Sequence, residues 1–199
     1  MQAQILDLMT LGPEAVVVIH VGGTYEDKSA AMKRWAACYR KLSEPARRRL
    51  VLENDDLRFS AAEVLQIHEQ TGVPLVFDLQ HHQCLNPESL EWLPTLKRFL
   101  KTWPSGVRPK VHYSSPRTQM REVIRRNRRT GKKEKVLQPP LWTAHADFVH
   151  PFDFVRFARE TEGLAFDVML EAKAKDFALL RLRADMACHA PELRERFDF

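Results

Sequence analysis

Several of the histidines and carboxylates in this 199-residue chain fall just where a short apolar run stops. "AVVVIH" (15–20) ends at His20 and "RLVLE" (49–53) at Glu53, with Asn54, Asp55 and Asp56 directly behind it. "PLVFD" (74–78) ends at Asp78 with His81 three residues on, "PKVHY" (109–113) carries Lys110 and His112, and "FDVMLE" (166–171) ends at Glu171. Neutral imidazole and carboxylate are the mixed N/O donors that hold zinc, manganese or iron without any thiolate. Two or three such ions about 3.5–4 Å apart can activate a water and stabilise the leaving oxygen of a phosphodiester. Cations also make a packed acidic cluster tolerable, which an apolar strand end does not.

Each of these residues has a plainer reading beside the metal one. Glu53 to Asp56 either bind metal or form a loop whose Asn or Asp caps the next helix, Asp56 being the residue placed to do so. The DxxH spacing lets Asp78 and His81 meet at one ion, with His82 turned away. His112 is either a ligand or a satisfied strand histidine. "HADFVHPFDF" offers His145, Asp147 and His150; the first two suit a metal, or Asp147 caps a helix. Lys173 and Lys175, just past Glu171, either reach phosphates or form salt bridges. His68, inside a helical pattern, and His189, near the C-terminus, read as structural or solvated. The conjunction on successive strand ends favours a metal centre more than any one residue does.

Elements must exist to bring these ends together. The apolar runs read as parallel strands covered on both faces, and helical patterns separate them. "SAAMKRWAACYRKLS" (29–43) begins with a serine cap and repeats apolar residues at helical spacing. "SAAEVLQIHEQTG" (60–72) opens with a capping box, Ser60 and Glu63, and stops at Gly72. "PESLEWLPTLKRFLKTW" (87–103) is helical with an interruption at Pro94, and "PFDFVRFARETEG" (151–163) starts at Pro151 and stops at Gly163. Strand then helix, repeated about five times, implies right-handed crossovers and a parallel sheet, either open or closed as a barrel. In such folds the C-terminal strand ends surround the active-site mouth.

Composition narrows the class. Apolar residues make up 44% and charged residues 29%, as in a globular chain able to bury a sizeable core. No run approaches the roughly 20 apolar residues of a membrane span, and the first residues lack the basic start of a signal peptide. Cys38, Cys84 and Cys188 form no CxxC pair and read as reduced thiols of a cytoplasmic protein. No GxGxxG or Walker motif is present. The net charge of +5 is lopsided, −2 over residues 1–100 and +7 over residues 101–199. Most of the excess lies in a basic insertion at about 117–138, which is either a grip on a polyanion such as nucleic acid or a solvated, mobile loop.

"IHVGG", "RLVLENDD", "GVPLVFDLQHH", "PKVHYSSP", "HADFV" and "FDVMLEAKAKDFALLRLR" together resemble the successive signatures of the UV damage endonucleases. The resemblance runs in order from about residue 5 to residue 185. It implies an α/β fold of the TIM-barrel type, xylose isomerase-like, with residues 1–199 forming a single partial barrel of about five βα units. It also implies a DNA-repair phosphodiester hydrolase, nucleoid-associated, that nicks immediately 5′ to a UV-damaged dinucleotide. By motif position the metal ligands are His20, Glu53, Asp78, His81, His112, His145 and Glu171, holding two or three divalent ions, Mn2+ first among them. Glu53 and Glu171 are also expected to be catalytic, as is Lys110, which matches a family lysine in the metal site that can carry a carboxylate modification. Lys173, Lys175, Arg125, Arg126, Arg128 and Arg129 are the expected contacts to double-stranded damaged DNA.

The family barrel has eight βα units, and the resemblance begins near the fourth strand. A further N-terminal segment or a second copy of the chain would complete it. Two other functions fit the same residues: a non-catalytic DNA-binding half-barrel, and a xylose isomerase-like sugar isomerase. The basic segment speaks mildly against the sugar isomerase.

Overall fold

The computed structural model describes residues 1–197. Along the chain it forms α1 (Gln2–Leu8), β1 (Val17–Ile19), α2 (Lys28–Lys41), α3 (Glu44–Arg49), β2 (Leu50–Glu53), α4 (Ala61–Thr71), β3 (Leu75–Asp78), α5 (Leu79–Cys84), α6 (Trp92–Leu100) and β4 (Lys110–Tyr113). There follow β5 (Pro116–Arg117), β6 (Arg121–Arg126), β7 (Lys133–Gln138), β8 (Leu141–His145), α7 (Pro151–Glu160), β9 (Asp167–Leu170) and α8 (Asp176–His189), with a 3-10 turn at Pro191–Arg196. The chain divides into two compact units, one of Met1–Tyr113 with Arg156–Leu170 and one of Ser114–Val155 with Glu171 onward.

The first unit holds a five-stranded, all-parallel sheet in the order β1-β2-β3-β4-β9. All four residues of β3 are buried, so its uninterrupted apolar run is what a strand covered on both faces needs. Paired residues of parallel strands point to the same face. Register therefore puts Val18, Val51 and Val76 on one face, where they join Trp103, Val16 and Val107 in a buried cluster. Phe77 points to the other face and meets Phe99 of α6 edge-on at 5.2 Å. Trp103 donates its indole N–H to the Leu75 carbonyl at 2.7 Å, which ties the chain after α6 to the start of β3.

Local signals account for most helix ends. Ser60 and Glu63 make the full capping box of α4, and Gly72 closes it in the left-handed conformation at φ 73°. Three readings need correction. Asp27, not Ser29, caps α2 by accepting the Ala30 N–H. Asp56 does not cap α4, because Ser60 does. Pro94 does not interrupt α6: the helix begins at Trp92, so the proline lies in the first turn, where its missing N–H leaves no bond unmade. Among the described residues no helix is long and apolar enough to cross a membrane, and all three cysteines are free thiols.

The second unit contains two antiparallel pairs, β5 with β8 and β6 with β7. The basic segment is therefore an ordered β-hairpin and not a loop. Arg117, its first cation, lies apart from that hairpin in β5. It is buried, and its Nε and Nη2 have no hydrogen-bond partner among the described residues.

The irregular stretch that leads into β1 is held by one arginine. Arg49 is buried and donates to the carbonyls of Leu11 at 2.8 Å and Ala15 at 2.9 Å, to Gly12, and to Asp7 Oδ1 at 2.7 Å. Arg49→Met leaves those carbonyls without their donor and is expected to lower stability by about 2–3 kcal/mol in urea unfolding. The Arg49 hydrogen bond, helped by Arg48, holds the Asp7 carboxyl below its ordinary 3.8. A depressed carboxylate stabilises fully above that ordinary value and loses its contribution as the pH falls through the lowered one. The melting-temperature deficit of Asp7→Asn should therefore be clear at neutral pH and shrink as acid protonates the Asp7 carboxyl.

Candidate metal centre

The face that carries the valine cluster also carries the polar strand ends. Register pairs Asp78 with His112 and Glu53 with Val76. Glu53, Asp78 and His112 thus stand at the ends of three adjacent strands, on the face of Val51 and Val76. In register Glu53 sits two residues below His112, yet their side chains meet, as tilted strands of a curled sheet allow.

Glu53 is the hub, a carboxylate only 4% exposed. His112 donates Nδ1–H to its Oε1 at 2.9 Å, His81 Nδ1 lies 3.4 Å from the same oxygen, and His20 Nε2 is 3.6 Å from Oε2. Burial opposes the Glu53 charge, but the hydrogen bonds from His112 and His81 override it and hold the carboxyl at about 2. Burial likewise disfavours a charged His81, yet its bond to Glu53 and the charges of Asp78 and Glu53 raise it to about 9. Asp78 is fully buried, and that burial, with the Glu53 charge added, pushes its carboxyl up to about 7 against the pull of His81.

The DxxH spacing has a concrete cause. Asp78 is the N-cap of α5: its Oδ1 accepts the His81 N–H at 2.7 Å. That leaves Asp78 Oδ2 buried without a hydrogen-bond partner among the described residues. A buried carboxylate oxygen in that state costs free energy unless something binds it. His81 Nδ1 bonds the Asn54 carbonyl at 2.9 Å, so Nε2 is the nitrogen offered to a metal, its tautomer fixed by the backbone bond. One donor atom each from His20, Glu53 and His81 lies within 4.8 Å of the others, and the same holds for Glu53, Asp78 and His112. A mixed N/O donor set around an unsatisfied anionic oxygen fits a divalent cation.

Asn54 does what its place behind Glu53 suggests. Fully buried, it donates Nδ2–H to the Asp78 carbonyl and accepts the Asp78 N–H on Oδ1, both at 3.0 Å. This pair of bonds locks the tips of β2 and β3 side by side. Asp55 shapes the loop by accepting the N–H groups of Leu57 at 2.9 Å, Phe59 at 3.1 Å and Arg58. His82 turns away onto the Leu90 carbonyl at 3.0 Å, and His68 bonds the Val73 carbonyl at 2.8 Å.

Lys110 opens β4, and its Nζ bonds Asp167 at the start of β9. No local motif signals Asp167; only the strand register sets it opposite Lys110. In the second unit, His145 Nδ1 lies 3.4 Å from Glu171 Oε2. Asp147 neither caps a helix nor joins that pair; it takes Arg121 Nη2 at 2.7 Å. Lys173 and Lys175 are exposed just before α8.

A parallel β/α sheet with imidazoles and carboxylates gathered at its C-terminal strand ends is the arrangement of a β/α half-barrel whose donors could hold a metal ion. The family model described as UV-endonuclease UvdE matches residues 1–194, and the chain belongs to that family. It is 34% identical over 183 residues to a UV DNA damage endonuclease of Bacillus velezensis, and 35% identical over 185 residues to one of Bacillus pumilus. Each match takes in 92% of this chain and 52% of the relative, so the chain spans about half the length of these curated relatives. Among solved structures, that of SacUVDE matches with a TM-score of 0.72 and 30% identity, over 93% of this chain and 55% of that one. The half-barrel reading of the five-stranded sheet agrees with that likeness.

Asn54→Ala removes the acceptor of the buried Asp78 N–H and one donor to the Asp78 carbonyl, which as the N-cap carbonyl of α5 also takes the first helical bond. It is expected to lower stability by about 2–3 kcal/mol in denaturant unfolding, whereas Asn54→Asp, which keeps only the acceptor, should lose nearly as much.

Proposed function

We propose that this chain acts as a divalent-metal-dependent DNA repair endonuclease, nicking the phosphodiester 5′ to a UV-damaged dinucleotide in duplex DNA. The carrying observation is the buried Glu53 carboxylate ringed by His20, His81 and His112, beside the unsatisfied Asp78 Oδ2, in a member of a UV-endonuclease family. His20, Glu53, Asp78, His81 and His112 are the proposed ligands, and His145 and Glu171 are added by their place in the family motif. Manganese is the preferred ion, two or three per site. Bound there, divalent cations supply Lewis-acid stabilisation of charge on the phosphodiester and lower the pKa of water.

The protein's own groups do the positioning. The Asn54 carbonyl keeps the proton of His81 on Nδ1, and Glu53 Oε1 accepts that of His112 Nδ1, so both rings are fixed before any substrate arrives. Lys110 is assigned a catalytic role by its place in the family motif. Lys173, Lys175, Arg125, Arg126, Arg128 and Arg129 are the contacts to the DNA backbone that the family motif and the basic run suggest. The outer strands β1 and β9 each have a sheet partner on one side only among the described residues. Such edges call for cover, and in this reading a further segment or a second copy supplies the remaining units of the family barrel.

The test is a nicking assay on a duplex carrying a defined UV photoproduct, with Mn2+ and with EDTA. Cleavage 5′ to the lesion is expected with Mn2+ only. Glu53→Gln and Glu171→Gln should each lower the rate at least about 100-fold, with the circular dichroism spectrum unchanged. No cleavage with any divalent metal would overturn the reading, and tight DNA binding without cleavage would assign the non-catalytic role instead.

A further inference from the structure

The β6–β7 hairpin sorts its charges in a way that the run of basic residues does not reveal. From Arg121 to Lys135 it carries eight cations and two acids. Three of the cations stand beside an acid. Arg121 is paired with Asp147 at 2.7 Å, Lys135 with Glu122 at 2.7 Å, and Arg125 stands opposite Glu134 in register. Arg126, by contrast, stands opposite Lys133. Like charges directly opposed on one face of a ribbon destabilise it. The turn adds Arg128, Arg129 and Lys132, all exposed.

These unmatched cations are held in place. Asn127 donates to both Glu134 carboxylate oxygens at 2.9 Å and accepts the N–H groups of Arg129 at 2.8 Å and Thr130 at 3.1 Å. Arg126 Nε bonds the Gly131 carbonyl at 2.9 Å, and Gly131 takes the φ of 70° that the turn requires. Alternation then separates two faces. Arg121, Val123 and Gln138 share one and are half-buried; Ile124, Arg126, Lys133 and Leu137 share the other and are exposed, Ile124 by 68% and Leu137 by 59%.

We propose that this outer face is a DNA-backbone clamp in which Arg126, Lys133 and the turn cations Arg128, Arg129 and Lys132 contact phosphates of duplex DNA. The assignment adds Lys132 and Lys133 to the contact set and removes Arg125, which lies on the opposite face of the ribbon from Arg126. A polyanion relieves the Arg126–Lys133 opposition, and Ile124 and Leu137 offer apolar contact to deoxyribose. A two-stranded ribbon fits the major groove of B-form DNA, whereas that of A-form RNA is too deep and narrow. The inference rests on the nuclease reading only in choosing DNA as the polyanion.

The test is fluorescence-anisotropy titration of an undamaged duplex by the whole chain in EDTA at several NaCl concentrations, so that binding is read without cleavage. Each phosphate contact contributes about 0.9 to the slope of log Kd against log[NaCl]. Arg126→Ser and Lys133→Ser should each lower that slope by about 0.9, while Lys135→Ser leaves it unchanged. Unchanged slopes for the first two, or an equal fall for Lys135→Ser, overturn the clamp. So does competition by double-stranded RNA or phosphatidylserine vesicles as strong as that by DNA. Because binding is read in EDTA, loss of nicking in Glu53→Gln bears on the nuclease reading and leaves the clamp untouched.

Discussion

A carboxylate that stays charged while shut off from water must have its charge met by its neighbours. Glu53 is that carboxylate, and much of the first unit follows from it. Three imidazoles from three other elements are needed around it: His20 after β1, His81 in α5 and His112 in β4. They converge only if those strands lie parallel, in fixed register, with their polar ends on one face. The valine layer beneath, Val51 and Val76 with Val16, Val18 and Trp103, keeps that face dry below the polar tier. Asp78 sits in the same tier with one oxygen that has no hydrogen-bond partner among the described residues.

The supports of the cluster reach well beyond its donors. Asn54 makes the tips of β2 and β3 a single rigid edge, and the helix cap of Asp78 aims α5 so that His81 returns toward Glu53. Arg49 acts further off: by gathering the carbonyls of Leu11, Gly12 and Ala15 it fixes the path into β1, and so the origin of His20. Asn54 and Arg49 lend no donor atom to the cluster. With the Asp78 cap they convert loosely connected strand ends into a cluster with little left to reorganise.

The hairpin of the second unit shows the opposite use of charge. There the cations are exposed, a pair of them is set in opposition, and the turn is locked by Asn127 so that they cannot move apart cheaply. In the cluster a buried anion is surrounded by donors; in the ribbon exposed cations await an anion.

The sequence by itself determined the five parallel strands, the four long helices between them and the residues at their ends. Those properties are local: continuous β-branched runs, capping residues, and polar side chains where burial stops. It also marked the motif set as that of the UV endonucleases. Only the tertiary structure decided that Lys110 opposes Asp167, that Asp147 serves Arg121, and that Arg117 is buried apart from the exposed basic run. It also decided which hairpin cations are matched, since cross-strand register is set by pairing between residues distant in the chain. Hydrophobic period and capping are written in neighbouring residues; the partner of a charge is set by the packing of the whole.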